Sequence, residues 1–279
     1  MSLDVVINRL ETSSSKLIEW FNINYMKLNA DKCHLLVCGQ KHDCVEVNVG
    51  GEIIKESTSE KLLGIDIDNK LKLEKYLRSL CKKAGKKLNA LSRLCKILSF
   101  SKRKQIVQAY FESQFGYCPL VWMCHSRVLN SKIDSLHFRA LQMIYRDYDA
   151  TFSELLTKDK TVKVHHRNIR SLAIEMFKVM KKLSPDFMDE IFYIKTEHES
   201  VSSNTRSGTK FYNVNNPRTT RFGLETLSNL GPKIWSILPD SIKQCKSLKQ
   251  FKLSIKKWIP NDCPCRLCRD YVPALGFIN

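Results

Sequence analysis

Residues 71–98 read LKLEKYLRSLCKKAGKKLNALSRLCKIL, and this stretch decides the fold. Its apolar residues recur at steps of three or four without a break, which is the period of an amphipathic α-helix. The apolar stripe comprises Leu73, Leu77, Leu80, Ala84, Leu88, Leu91, Cys95 and Leu98. The stretch therefore predicts one long helix with a continuous face that packs on other helices.

The remaining surface of this helix is strongly basic. Residues 70–104 hold 13 Lys and Arg residues and one acidic residue, Glu74, so this window supplies +12 of the formal net charge of +18. A cationic helix face suits a phosphate backbone, and the alternative is a solvated face whose lysines only aid solubility. The candidate nucleic-acid-binding residues are Lys72, Lys75, Lys82, Lys83, Lys86, Lys87, Lys102, Arg103 and Lys104.

The composition of the whole chain favours the same class of partner. A charge of +18 and a sequence pI near 9.4 favour a polyanionic partner. The expected partner is RNA, DNA or an RNA–DNA hybrid. A membrane partner is not expected, because the apolar stripe is regular and lacks interfacial Trp. No run approaches the ~18 apolar residues of a membrane span, and residues 1–10 do not resemble a signal peptide. We therefore expect an intracellular protein, nuclear or cytoplasmic, that is not secreted.

The residues before the basic helix predict a helix and a small antiparallel sheet. Residues 2–28 have a helical period, and residues 45–49 and 52–55 flank Gly50-Gly51, which is typical of a β-hairpin. Residues 61–67 predict a third strand. Residues 33–38 form a short apolar run.

The residues after the basic helix are mainly helical. Helices are predicted over 102–124, 128–146 and 163–183, with Pro185 as a stop signal. Residues 196–222 are rich in Ser, Thr, Asn, Arg and Gly and predict an extended linker, after which a helical part runs from about 224 to 258. The predicted fold class is therefore α+β.

The 11 cysteines fit reduced side chains better than a disulfide framework, because the count is odd and no secretory segment is visible. Cys263, Cys265 and Cys268 are spaced closely enough to share one tetrahedral zinc ion. A fourth ligand at a standard spacing is missing, and Cys245 or a distant His is the nearest candidate. The alternative is a tail of unliganded cysteines.

Four segments together resemble LINE-type (non-LTR) retrotransposon reverse transcriptases. Tyr25-Met-Lys-Leu-Asn-Ala-Asp-Lys-Cys-His-Leu-Leu-Val-Cys-Gly39 resembles the segment after the catalytic aspartates, and Lys61-Leu-Leu-Gly-Ile-Asp-Ile-Asp68 resembles the primer-grip motif. Gly116-Tyr-Cys-Pro-Leu-Val-Trp122 and Gly231-Pro-Lys-Ile-Trp-Ser-Ile-Leu-Pro239 are similar to C-terminal signatures of these elements. The resemblance covers nearly the whole chain.

This resemblance implies a domain organisation and several site residues. Residues 1–69 would be the C-terminal part of a palm with the primer-grip hairpin, and residues 70–150 a helical thumb. Residues 151–279 would be a mainly helical C-terminal region with the linker 196–222 and the cysteine tail 263–268. Lys32 would assist the leaving pyrophosphate, and Leu63-Gly64 would bring backbone close to the primer. The alternatives are a surface lysine before a strand and a glycine at a sheet bulge.

The chain departs from this family in its metal ligands. Family members hold Mg²⁺ with paired aspartates, and no Asp-Asp dipeptide occurs in this sequence. Asp66-x-Asp68 and Asp147-x-Asp149 are weak substitutes, since both fall where turns or helix ends are predicted. We therefore expect a truncated RNA-directed DNA polymerase that binds template–primer without synthesis. The alternatives are a non-enzymatic host nucleic-acid-binding protein derived from the element and a helical protein-interaction domain with incidental charge.

Overall fold

The structure is a computed structural model that describes residues 3–39, 44–192 and 223–260, together with residues 263, 265, 267 and 268. The chain divides into two compact units, Met1–Ser79 and Leu80–Asn279. The fold is mixed α/β and mostly helical, with two small antiparallel sheets. Every helix in the described residues is too short or too polar to span a bilayer.

The first unit contains a helix and two β-hairpins. Its elements are α1 (Leu3–Ile23), β1 (Glu46–Val49), β2 (Glu52–Lys55), β3 (Ser59–Leu62) and β4 (Ile65–Asp68). Strands β1 and β2 pair in antiparallel register around Gly50-Gly51, whose φ angles of 65° and 92° suit the tight turn of a two-residue hairpin. The predicted hairpin is therefore confirmed.

The prediction of a single strand over residues 61–67 is wrong. The segment turns at Leu63-Gly64, so that β3 and β4 form a second hairpin with Leu62 opposite Ile65. Both turn residues have positive φ angles, 47° and 87°, which Gly64 adopts freely because it has no Cβ. The predicted single small sheet is consequently two separate two-stranded sheets. The apolar run 33–38 contributes an isolated bridge from Leu35 to Glu56.

Helix α1 lies along the first hairpin of its unit. The Glu11 carboxylate accepts a hydrogen bond from the backbone N–H of Asn48 at 3.0 Å. A Cβ on Gly50 would come within 2.8 Å of the Ile18 Cδ1 atom, so the turn approaches the helix closely. The predicted helix is present, but none of its residues is buried.

Helix α2 (Glu74–Cys95) is the long basic helix predicted from the leucine stripe. It is followed by α3 (Phe100–Val107), a π-helical turn (Gln108–Glu112), α4 (Ser113–Gly116), α5 (Pro119–Trp122) and α6 (Arg127–Tyr145). Next come α7 (Phe152–Asp159), α8 (Val164–Met180), α9 (Phe187–Ile191), α10 (Leu227–Ser236), α11 (Asp240–Lys243) and α12 (Leu248–Ile255). The predicted linker 196–222 lies outside the described residues.

The helix predicted over residues 102–124 is interrupted. Its backbone changes to an extended conformation at Tyr117 and to a left-handed one at Cys118, where φ is 42°. Pro119 explains the break, because its ring disfavours an α conformation at the preceding residue. The indole Nε1 of Trp122 then donates to the Tyr117 carbonyl at 3.0 Å and closes the turn.

The second unit is built on a large apolar core. Helix α8 lies at its centre, with Leu172, Met176 and Phe177 fully buried. Helices α5, α10 and α12 pack against it, and Phe177 stacks on Phe251 with ring centroids 4.3 Å apart. This core fixes the position of the first turn of α8, which carries His165.

Candidate nucleic-acid interface and Cys-His cluster

Helix α2 separates its apolar and basic residues by burial. Leu77, Ala84 and Leu88 are completely buried, which confirms the predicted packing stripe. Lys82, Lys83 and Lys86 are exposed, and Lys87 is half-buried at the edge of the stripe. The helix therefore presents a row of ammonium groups to solvent from a fixed backbone.

The four lysines Lys82, Lys83, Lys86 and Lys87 carry uncompensated charge. Within the described residues, none of them forms an ion pair. Arg93 is also exposed and lies seven residues, close to two helical turns, beyond Lys86. Arg93 therefore extends the same basic face. It was counted in the charge of residues 70–104 but was not among the predicted nucleic-acid-binding residues.

Not every basic residue predicted for nucleic-acid binding is free to bind. Arg103 is buried and donates from Nε to the Ile144 carbonyl at 2.9 Å and from Nη1 to the Leu98 carbonyl at 2.7 Å. Lys104 pairs with the buried Asp159 carboxylate at 2.7 Å. Lys102 is exposed, as are Lys72 and Lys75. Arg103 and Lys104 therefore serve packing in this structure.

Two arginines hold the carboxyl end of the basic helix. Arg146, which follows α6, donates from Nη2 to the Cys95 carbonyl at 2.9 Å. Arg103 binds the Leu98 carbonyl just beyond it. The last carbonyls of a helix have no partner within the helix, and cationic donors satisfy them well. These contacts fix the end of α2 against α3 and α6.

The residues predicted as primer grip lie at the tip of the second hairpin. Leu63 is 81% exposed, although leucine is apolar and its φ of 47° is unfavourable. Gly64 follows it with φ of 87° and open space where a Cβ would be. An exposed apolar tip on a tight turn is a surface that another molecule can contact.

Lys32 ends a short 3₁₀ turn, Ala30–Lys32. The Asn29 side chain caps this turn by accepting from the Asp31 N–H at 3.0 Å. The Lys32 side chain is exposed. In this Leu-Asn-x-x-Lys sequence the asparagine thus has a structural role as the cap of the turn. The lysine side chain points into solvent.

One aspartate of each candidate pair has structural partners. Asp68 accepts from the backbone N–H groups of Lys70, Lys72 and Leu73, at 3.1, 3.0 and 2.6 Å. Asp147 accepts from the Ala150 N–H and pairs with Lys158 at 3.0 Å. Neither pair belongs to a group of three or more ligand side chains among the described residues.

Three tail cysteines meet a histidine from α8. Within the described residues, the one group of potential metal ligands consists of His165, Cys263, Cys265 and Cys268, whose ligand atoms all lie within 4.8 Å of one another. The His165 Nε2 atom is 3.0 Å from the Cys265 sulfur. His165 and Cys263 are each 4% exposed. His165 is thus the histidine that lies with the three tail cysteines, and the sequence alone could not identify it.

Local structure explains why the sulfurs face one point. The Cys268 N–H donates to the Cys265 carbonyl at 3.2 Å, which closes a turn and brings both side chains to one side. Cys263 belongs to the apolar core around α8. Ahead of this tail, the Arg170 guanidinium donates to the Trp258 carbonyl at 2.8 Å. Cys245, the other candidate ligand, is buried in the same core but lies outside this group, with its sulfur 3.7 Å from the Ser254 hydroxyl.

The thiols of this cluster perturb one another. Hydrogen bonds from Cys263 and then Cys268 lower the pKa of the Cys265 thiol, and His165 contributes in the same direction. The hydrogen bond with Cys265 raises the pKa of Cys263 to about 12. Burial lowers the pKa of the neighbouring His166 to about 4, and the charges of His165, Lys163 and Arg170 lower it further. The arrangement therefore favours a thiolate at Cys265 that accepts hydrogen bonds from Cys263, Cys268 and His165.

The two C-terminal signature segments are parts of the core. A Cβ on Gly231 would lie 2.6 Å from Phe192 Cε1 and 2.7 Å from the Met176 sulfur, so only glycine allows α10 this close to α8. Trp235 stacks near Phe251 with centroids 6.1 Å apart, and Trp122 is 1% exposed. The buried residues of both segments, Trp122 in the first and Gly231 and Trp235 in the second, therefore serve packing.

Comparisons of the chain with protein-family models, with curated proteins and with solved structures gave no match.

Proposed function

We propose that the chain is the C-terminal part of a LINE-type reverse transcriptase, which holds template–primer nucleic acid and does not catalyse synthesis by itself. In this proposal Met1–Ser79 corresponds to the end of a palm and α2 opens the thumb. The hairpin tip at Leu63-Gly64 would contact the primer, and Lys32 would lie near its phosphates. The RNA–DNA hybrid is the ligand, and Mg²⁺ would belong to the intact polymerase.

The observation that carries the proposal is the lysine row of α2, in which Lys82, Lys83 and Lys86 are exposed and Lys87 is half-buried. Four lysines project from one rigid helix and have no acidic partner within the described residues. Each phosphate that a lysine neutralises releases condensed counterions, so such a row gains free energy on a polyanion and loses it as salt rises. Lysine acts here as a point charge that positions a backbone and does not read sequence.

Burial of the α2 stripe argues against a membrane as the partner. A helix that lies in a bilayer surface needs an apolar face to insert. In α2 that face is already used, since Leu77, Ala84 and Leu88 are completely buried in the protein. The surface left for a partner on this stretch is cationic, which favours an electrostatic ligand.

Equilibrium binding to an RNA–DNA hybrid at several salt concentrations tests this proposal. We expect the combined change Lys82→Gln, Lys83→Gln, Lys86→Gln and Lys87→Gln to weaken binding at low salt by about tenfold or more. The slope of log affinity against log salt should become shallower by about 0.9 for each phosphate that is no longer neutralised in a B-form duplex, and comparably for the hybrid.

The matched control removes the same charge from another helix. Lys249, Lys252, Lys256 and Lys257 are exposed lysines in or just after α12. Their combined change to Gln should shift the affinity much less and leave the slope nearly unchanged. Equal losses of affinity in both quadruple variants would show that net charge, and not the α2 face, determines binding, and the proposal would fail.

Primer extension tests the second half of the proposal. Two divalent ions held by paired carboxylates are what a polymerase needs to activate the attacking hydroxyl. Because Asp68 and Asp147 already hold backbone N–H groups and a lysine, we expect no extended primer with Mg²⁺ or Mn²⁺ present. The control is a variant in which Asp66, Asp68, Asp147 and Asp149 are all changed to Asn. Metal-dependent extension that persists in this variant would point to contamination, and extension that this variant abolishes would overturn the proposal.

A further inference from the structure

We propose that His165, Cys263, Cys265 and Cys268 form a structural zinc site that fastens the end of the chain to the first turn of α8. His165 and Cys265 are 100 residues apart in the sequence, yet the ligand atoms of all four side chains lie within 4.8 Å of one another. The site is independent of the nucleic-acid proposal, because it uses none of the residues on α2.

The geometry suits one tetrahedral ion. Zinc bonds thiolate sulfur at about 2.3 Å and imidazole nitrogen at about 2.0 Å, so two sulfurs of one site lie about 3.8 Å apart. A group within 4.8 Å needs only small side-chain movements to reach this arrangement. The contact of 3.0 Å between His165 Nε2 and Cys265 would lengthen slightly as the ion takes the place of the shared proton.

The ligand set selects the metal and its role. Three thiolates are soft ligands and imidazole is a borderline one, and this set favours zinc over Mg²⁺ or Ca²⁺, which prefer oxygen ligands. Four protein ligands fill the tetrahedral shell and leave no position for a water molecule or substrate, as in structural zinc sites. We therefore assign the ion to folding and not to catalysis.

The position of the ligands defines what the ion would stabilise. The Arg170 guanidinium of α8 holds the Trp258 carbonyl, and Cys263 packs in the core around α8, so the chain already lies beside α8 at these two residues. A zinc ion would join its last described turn, Cys265 to Cys268, to His165 on α8. Metal binding contributes to folding when the ligands converge only in the folded chain.

The first experiment measures zinc in the unaltered full-length chain, purified with reductant and dialysed against a metal-free buffer. We expect about one zinc ion per chain, as for a closed four-ligand site. X-ray absorption at the zinc edge should give a shell of three sulfurs and one nitrogen. Cobalt substituted for zinc should show thiolate charge-transfer bands and the strong d–d bands of a tetrahedral centre.

Variants then assign the ligands. Cys265→Ser and His165→Ala should each remove most of the zinc and lower the thermal midpoint as much as chelation does in the unaltered chain. The matched controls are Cys245→Ser, a buried cysteine outside the cluster, and His34→Ala, an exposed histidine. Both controls should keep the full zinc content.

Three results would overturn the inference. The first is an unaltered, folded chain that takes up no zinc when the metal is supplied with reductant, which indicates a metal-free thiol cluster. The second is a disulfide among the three cysteines in the reduced preparation. The third is a sulfur-only shell, or full zinc content in His165→Ala, which removes His165 from the site. The absorption spectrum needs no variant, so a variant that fails to fold leaves the test intact.

Discussion

Helices α1 and α8 carry the same kind of apolar stripe, with side chains recurring every three or four residues, but they differ in burial. In α8 the residues Leu172, Met176 and Phe177 are completely inaccessible to solvent. In α1 no residue is buried, and Leu10 and Leu17 are 43% and 53% exposed. The period of the stripe determines that a helix forms. The depth of burial depends on what packs against it, which for α8 is α5, α10 and α12.

This difference extends to the two units. The first unit consists of α1 and two hairpins, and Val45, Val47 and Ile65 are among its few buried apolar residues before α2. The second unit contains the large core around α8. Hydrophobic stabilisation scales with apolar area removed from water, so we expect the second unit to be the more stable. Substitutions placed in each unit can test that ranking.

The largest effect is expected from truncating one apolar residue in each of the two helices. Phe177→Ala removes a fully buried ring that stacks on Phe251 at 4.3 Å, and it should lower the free energy of unfolding by about 3–5 kcal/mol. Leu17→Ala removes an exposed side chain and should change it by less than about 0.5 kcal/mol. Urea unfolding followed by circular dichroism and by hydrogen exchange of each unit gives both numbers. A comparable loss of stability from Leu17→Ala would show that α1 is covered in solution.

The second prediction is that the second unit loses stability in acid. Burial, and to a lesser extent the charge of Arg167, lowers the pKa of His137 to about 3 from an ordinary value of 6.5. Arg167 donates to His137 Nε2 at 3.0 Å and pairs with Glu112, so this nitrogen is an acceptor in the neutral ring. Protonation would place a second positive charge against the guanidinium.

The direction of the change in stability with pH follows from proton uptake. Between about pH 6.5 and pH 3 the unfolded chain binds a proton at His137 and the folded chain does not, so stability falls as the pH falls. The slope from this group approaches about 1.4 kcal/mol per pH unit at most. His125 acts in the same direction through burial, whereas Asp134, whose pKa burial raises, acts in the opposite one. His137→Gln keeps an acceptor for Arg167 and should flatten the profile measured by urea unfolding at each pH. An unchanged slope of stability against pH in His137→Gln would contradict a buried, neutral His137 ring.

Periodic patterns predicted the elements whose contacts are local. The stripe of α2, the hairpin at Gly50-Gly51 and helices α6 and α8 are all confirmed, because 3.6-residue and two-residue periods and a Gly-Gly turn encode them directly. Helix α7 was missed although its capping box, Thr151 with Glu154, is visible in the sequence. That signal could have identified the start of the helix.

The errors come from residues whose conformation depends on their surroundings. Leu63 adopts a left-handed conformation that leucine disfavours, and pairing of β3 with β4 offsets the cost, so a continuous strand was the wrong prediction. The same holds for the clustering of His165 with the tail cysteines. Their spacing of about 100 residues carries no local signal, and only the packing of the tail on α8 brings them together.

The smallest expected effect comes from one substitution made in both units. Gly64 has a φ of 87° at the tip of the second hairpin, so Gly64→Ala should destabilise that hairpin by about 1 kcal/mol. Gly85 lies in the middle of α2, where an added Cβ meets only the Leu136 Cδ2 atom at an ordinary 3.7 Å. Gly85→Ala should therefore stabilise the second unit by about 0.5–1 kcal/mol, because alanine loses less backbone entropy in a helix.

Hydrogen exchange of the amides in β3 and β4 measures the effect of Gly64→Ala, and exchange of the amides in α2 measures the effect of Gly85→Ala. Opposite signs would support a tight turn in one unit and a regular helix in the other, and a destabilising Gly85→Ala would mean that α2 packs more closely on α6 than this structure shows.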